Sequence, residues 1–158
     1  MPITRRPLVF ALPLAWSVPA AWAHHGWSSF DQDRPLYLEG RVLESRWRNP
    51  HVELVIEPAS PLVLPADLKS RALPAQTSGP DGPALLAKTM LPTRRERRWE
   101  LELAPLTRMQ AWKVQEIKAG AQVAAVGFSF KDEKGEAVMR VEYLFVQGQA
   151  YGLRSSPA

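Results

Sequence analysis

The chain has 158 residues, the length of a single domain, with 20 lysine and arginine residues against 16 aspartate and glutamate residues. Four of the arginines form one run, at positions 94, 95, 97 and 98, and the net charge of +4 gives no general cationic surface, which argues against a nucleic-acid partner. Because the chain has no cysteine, disulfides and thiolate metal ligands are excluded.

The first 23 residues have the features of a secretory signal peptide. Arg5 and Arg6 supply the positive charge, Leu8–Trp16 is a short apolar run, and Ala21–Ala23 has the small-x-small pattern that signal peptidase cleaves. We expect cleavage after Ala23 and a periplasmic or secreted location for residues 24–158, which contain no transmembrane segment. The two arginines are compatible with Sec export and with twin-arginine export.

The next part of the chain is predicted to form two strands. Residues 36–47 alternate well enough for a half-buried strand, and Asn49-Pro50 then indicates a turn. From His51 to Glu57 apolar and polar residues alternate, which predicts a second strand. Residues 58–96 are rich in proline and are predicted to be an irregular insertion with at most a short helix.

The last third is predicted to contain three more strands and one short helix. The strands are expected at Trp99–Leu103, Gln122–Phe130 and Ala137–Val146, with an edge segment after them, and the helix at Leu106–Val114. Glu100 and Glu102 are expected on a solvated strand face. This order predicts a mainly β domain, either a small five-stranded OB-like barrel or a curled sheet.

The three histidines are the candidate metal ligands: His24, His25 and His51. If cleavage occurs after Ala23, the terminal amine and the imidazole of His24 form a chelating pair, and a second imidazole from His51 or His25 completes three nitrogens suited to copper. The alternative is that the terminal histidines are solvated and His51 is a hydrogen-bonding residue. A weaker soft-metal hypothesis uses Met90, Met109 and Met139.

Four further residues lie near the histidines in the sequence and are candidates for a binding surface or for orienting a ligand: Trp27, Asp31, Trp47 and Asn49. Trp27 and Phe30 are expected mainly to anchor the N-terminal arm onto the barrel, because large aromatic rings gain most from burial. Asp31 is expected either to orient an imidazole or to cap a turn.

The sequence carries no motif of a known catalytic centre. It lacks a Gly-x-Ser-x-Gly nucleophile elbow, a phosphate-binding glycine loop and a His-Glu-x-x-His motif, so we expect a protein that is not an enzyme. A copper oxygenase that uses the same three nitrogens is a distant third alternative.

Two segments together resemble a family of small secreted bacterial proteins of unknown function. These are Ala23–Asp31, with its Ala-His-His start, and Leu38–His51, with Gly-Arg-Val and Trp-Arg-Asn-Pro-His; Trp99–Glu102 and Lys118–Gly120 fit as well. The resemblance implies a periplasmic OB-like domain and marks the histidines as matching positions, but it brings no activity. The chain departs from the family in its longer proline-rich insertion and in Ala121, where aspartate is common.

These observations predict a periplasmic protein that binds a metal ion, with copper favoured. The alternative is a module that binds a periplasmic protein or another ligand without metal, through Trp27, Trp47 and the strand face.

Overall fold

A computed structural model describes residues 26–158, so the predicted signal peptide, His24 and His25 lie outside the described residues. The described chain forms six strands and two helices, with three short 3-10 turns. The elements in chain order are β1 (Leu36–Arg46), β2 (Glu53–Pro58), α1 (Gly82–Lys88), β3 (Trp99–Glu102), α2 (Leu106–Ala111), β4 (Gln122–Phe128), β5 (Val138–Val146) and β6 (Gln149–Gly152).

Five of the strands close into a barrel. β1 pairs antiparallel with β2 on one side and with β4 on the other, and β2 pairs antiparallel with β3. β5 pairs antiparallel with β4 and parallel with β3, which completes the ring, and β6 extends the sheet beyond β5. Of the two predicted architectures, the closed five-stranded barrel is therefore confirmed, and closure leaves few unpaired strand edges.

The alternation of β2 and β3 determines which side chains fill the barrel. Leu54 and Ile56 of β2 and Leu101 of β3 are fully buried in the barrel interior. The alternate positions, which include Glu53, Val55 and Glu57 of β2 and both glutamates of β3, lie on the opposite face of the sheet. β1 and β2 lie close together at Gly40, where a Cβ atom would be 2.1 Å from the carbonyl oxygen of Glu57. Only glycine is compatible with this strand contact.

The proline-rich insertion is largely irregular, as predicted, but it is packed onto the barrel. Three of its leucines, Leu68, Leu85 and Leu86, are buried against the outer face of β1, β4 and β5, where they form a second apolar core. Its helix α1 begins after Asp81, whose side chain accepts a hydrogen bond from Ala84 N–H. Burial of these leucines offsets the entropy of ordering the segment.

Helix α2 is shorter than the sequence predicts. It begins directly after Pro105 and ends at Ala111, because Lys113 adopts a left-handed conformation with φ 55° that cannot continue a helix. No helix within residues 26–158 has the length and apolar character that a membrane-spanning segment needs.

Candidate functional site

His51 lies in the loop between β1 and β2 and contacts a buried ion pair. Its Nδ1 atom is 3.3 Å from Oε1 of Glu102, and its Nε2 atom is 3.2 Å from Nη2 of Arg140. Glu102 ends β3 and is paired in register with Arg140 of β5, so the parallel pairing brings both side chains to the outer face beside the loop. The candidate site is therefore built from β3, β5 and the β1–β2 loop.

These two neighbours indicate which tautomer of a neutral His51 fits the site. A guanidinium group can only donate hydrogen bonds, so Nε2 of His51 accepts from Arg140. The ring hydrogen of a neutral imidazole is then on Nδ1, which faces the carboxylate of Glu102. For a neutral ring, these contacts favour the tautomer with its hydrogen on Nδ1.

Arg140 and Glu102 form a salt bridge in which each side chain is only 6% exposed. Burial lowers the pKa of Arg140 from its ordinary value, and the negative charge of Glu102 opposes that shift. The expectation that Glu100 and Glu102 form a solvated face is therefore wrong for Glu102. Burial, reinforced by the charge of Glu53, also raises the pKa of Glu100.

Trp27 anchors the N-terminal arm next to this ion pair. Its ring centroid is 4.9 Å from Cζ of Arg140 and 3.5 Å from Cζ of Arg154, distances at which a cation is attracted to an aromatic face. Gln32 donates a hydrogen bond to the carbonyl oxygen of Trp27 and accepts one from Arg154. The side chain of Trp27 thus takes part in the same polar cluster that holds His51.

Phe30 provides the second anchor of the arm. Its ring stacks on Phe130 with 5.0 Å between centroids, and Asp31 N–H donates to the carbonyl oxygen of Ser129. Both aromatic residues of the arm therefore pack as the sequence predicts, on the outer face of the barrel.

The other predicted residues support local structure. Asp31 accepts a hydrogen bond from the N–H of Asp33 and so caps a turn, which is one of its two expected roles. Asn49, which precedes a cis proline, accepts from Leu106 N–H and joins the β1–β2 loop to the start of α2. Trp47 is half-buried and packs against the barrel core.

The described residues contain no group of three His, Cys, Asp or Glu side chains arranged to hold a metal ion. The three methionines do not converge either: Met109 and Met139 are buried in the barrel interior, and Met90 is 43% exposed. A metal site that includes His51 would therefore need His24 or His25, which lie outside the part of the chain that the structure describes.

The polar cluster also contains three residues that were not predicted as site residues from the sequence: Arg140, Arg154 and Glu142. Arg154 donates to Glu142, whose side chain is fully buried, and burial raises the pKa of Glu142 while Arg154 opposes that shift. A signal for two of them exists, since Arg140 and Glu142 interrupt an otherwise apolar strand, Val138–Val146. Charged residues are rarely fully buried unless they are paired with an opposite charge, so two of them in an apolar strand indicate a buried ion pair.

A model of a family of unknown function (DUF6152) matches residues 13–61. The match includes the His-His start and the Asn-Pro-His segment, so the resemblance to such a family is confirmed for that part of the chain. Comparison with curated proteins and with solved structures gives no significant match.

Proposed function

We propose that the protein is exported to the periplasm and binds a metal ion, with copper the favoured metal, through the nitrogens of His24 or His25 and of His51. The proposal includes cleavage of the signal peptide after Ala23, because only that cleavage makes the α-amine of His24 a ligand. The terminal amine and an N-terminal imidazole would chelate the ion, and His51 would supply the third nitrogen.

The observation that carries this proposal is a contact shared by the arm and His51. The ring of Trp27 and the Nε2 atom of His51 both contact the guanidinium group of Arg140. His24 precedes Trp27 by three residues, and three extended residues span about 10 Å. The proposal therefore takes the arm, which is anchored at Trp27 and Phe30, to bring the terminal nitrogens to His51.

The surroundings of His51 both support and constrain the proposal. A carboxylate that accepts the Nδ1 hydrogen is a usual partner of a metal-binding imidazole, and the carboxylate of Glu102 lies 3.3 Å from Nδ1 of His51. Arg140, however, donates to Nε2, the nitrogen that would bind the metal. Metal binding through Nε2 of His51 thus requires Arg140 to release the imidazole, which its salt bridge with Glu102 through the other guanidinium nitrogen does not prevent.

The test is a titration of Cu(II), and separately of Cu(I), into the chain beginning at His24. We expect one ion to bind, and we expect His51→Ala, or one alanine added before His24, to weaken binding at least about tenfold. Trp27→Ala should weaken it as well, because it releases the arm without removing a ligand. Asp33→Asn, an exposed change in the same arm, is the matched control and should bind like the parent chain.

Thermal unfolding in the presence of a chelator shows which variants remain folded. Equal binding by the parent chain, the His51 variant and the extended chain would overturn the proposal.

The contact between Arg140 and His51 favours a second candidate, a periplasmic module that binds a protein or another ligand without metal. In that case His51 serves to hold the β1–β2 loop on β3 and β5. His51→Ala would then lower the free energy of unfolding and leave Cu(II) binding unchanged.

A further inference from the structure

A cleft of about 730 Å³ lies at the end of the barrel where β2 ends and where β3 and β4 begin. It is bounded by both ends of the proline-rich insertion, and it is at the opposite end of β3 from Glu102 and His51. Its volume is within the range of small-molecule sites, and the mouth of a β-barrel is a common place for them. The cleft is thus separate from the proposed metal site.

One part of the cleft wall is apolar. Leu62 and Leu91, from the two ends of the insertion, are half-buried, and Leu38 and Trp99 of the barrel wall also line the cleft. Several prolines complete the lining: Pro58, Pro61 and Pro92. Rigid apolar walls of this kind accommodate the hydrocarbon part of a ligand at little entropic cost.

The rim of the cleft carries an excess of positive charge. Two of its four arginines are paired, Arg41 with Glu57 at 3.0 Å and Arg94 with Glu96 at 2.8 Å. Arg95 and Arg97 are exposed, and neither forms a salt bridge within residues 26–158. The two guanidinium groups that remain are suited to a carboxylate, sulfonate or phosphate group.

The backbone that carries these arginines is held firmly. The carboxylate of Glu133 accepts hydrogen bonds from the N–H groups of Thr93 and Arg94. The guanidinium of Arg94 donates to the carbonyl oxygens of Glu133 and Gly135 and lies 5.7 Å from the ring of Trp99. The hydrogen bonds of residues 93 and 94 to the β4–β5 loop therefore fix the backbone just before Arg95 at the rim.

We propose that this cleft binds a small amphipathic organic anion. Its acidic group would lie against Arg95 and Arg97, and its apolar body against Leu62, Leu91 and the prolines. Neither feature alone defines the ligand: the arginines select the negative charge, and the walls select a molecule with a hydrocarbon part.

The experiment uses the purified protein with its own N-terminal segment and the fluorescent anion 8-anilinonaphthalene-1-sulfonate as the probe. We expect saturable binding at one site, and displacement by decanoate below its micelle concentration. Inorganic phosphate, which has only the charge, and decanol, which has only the hydrocarbon chain, should displace the probe much less.

Variants locate the probe on the protein. Arg95→Gln/Arg97→Gln should weaken binding at least about tenfold, the effect of losing charged hydrogen bonds, and Arg95→Lys/Arg97→Lys should retain part of the affinity. Lys69→Gln/Lys88→Gln is the matched control, because it removes the same charge from exposed positions of the insertion outside the cleft. All of these residues are exposed, so the variants should fold normally.

Three outcomes would overturn the proposal. The first is an equal loss of affinity in the lysine control, which would mean that overall charge attracts the probe. The second is displacement by phosphate as effective as displacement by decanoate. The third is unchanged binding in the Arg95→Gln/Arg97→Gln variant.

Discussion

The inner and outer faces of the barrel wall bury different kinds of side chains. The interior cluster is apolar, with fully buried residues such as Leu54, Ile56 and Leu101. On the outer face, β3 and β5 bury Glu102 and Arg140 beneath the N-terminal arm, next to a second apolar core. The inner face needs only side chains that fill its volume, whereas the outer face depends on charged partners and on two covering segments.

The largest expected effect comes from breaking the charged part of the outer face. Arg140→Met should lower the free energy of unfolding by about 3–5 kcal/mol, because it removes the guanidinium group that pairs with the buried carboxylate of Glu102. The double variant Glu102→Leu/Arg140→Met should recover most of that loss, since no unpaired charge remains. Urea unfolding in the presence of a chelator measures both.

The matched control is Arg98→Met, whose partner Glu44 is 53% exposed. Its cost should be below about 1 kcal/mol, because exposed ion pairs contribute little. A similarly small cost for Arg140→Met would mean that the outer charges are not truly buried and that the contrast between the faces is weaker than described.

The second prediction compares the two apolar cores directly. Leu86→Ala in the insertion and Leu54→Ala in the barrel interior should each cost about 2–4 kcal/mol, because both side chains are fully buried. Equilibrium unfolding should show one transition for each variant. If Leu86→Ala costs less than about 1 kcal/mol, the insertion adds little to the folded domain and only the inner core stabilises the barrel.

The smallest expected effect concerns Glu133, which fixes the end of the insertion. Burial acts to raise its pKa, but the N–H groups of Thr93 and Arg94 and the charge of Arg34 outweigh burial, so the pKa is lowered. Glu133→Gln should cost about 1–3 kcal/mol near neutral pH, since charged hydrogen bonds are lost.

The lowered pKa of Glu133 determines how its contribution to the free energy of unfolding changes with pH. A carboxyl whose pKa is lower in the folded state stabilises the protein above its unfolded-state pKa, and that stabilisation is lost as the pH falls through the folded-state pKa. The difference in unfolding free energy between the parent chain and Glu133→Gln should therefore shrink on acidification. Urea unfolding at several acidic pH values measures this difference. A difference that stays constant across these pH values would contradict the role given to Glu133.

The fold was predictable where a strand has one face in the barrel. β2, β3 and β5 begin and end within two residues of the predicted positions, because alternation along a half-buried strand is a local property. α2 ends earlier than predicted, since the left-handed Lys113 has no clear sequence signal. The packing of the insertion was not predictable either, because its leucines lack a regular period and meet the barrel only after closure.

The candidate site, like the fold, was predictable from the sequence only in part. The position of His51 between a proline turn and a strand, and the ability of Trp27 and Phe30 to anchor the arm, follow from local sequence. The contact of His51 with Glu102 and Arg140 arises only on folding, because residues 51, 102 and 140 are distant in the chain and become neighbours through the β2–β3 and β3–β5 pairings. The ring of Trp27 covers the guanidinium group of Arg140. The contribution of the ion pair to stability therefore depends on the folded barrel and on the arm together.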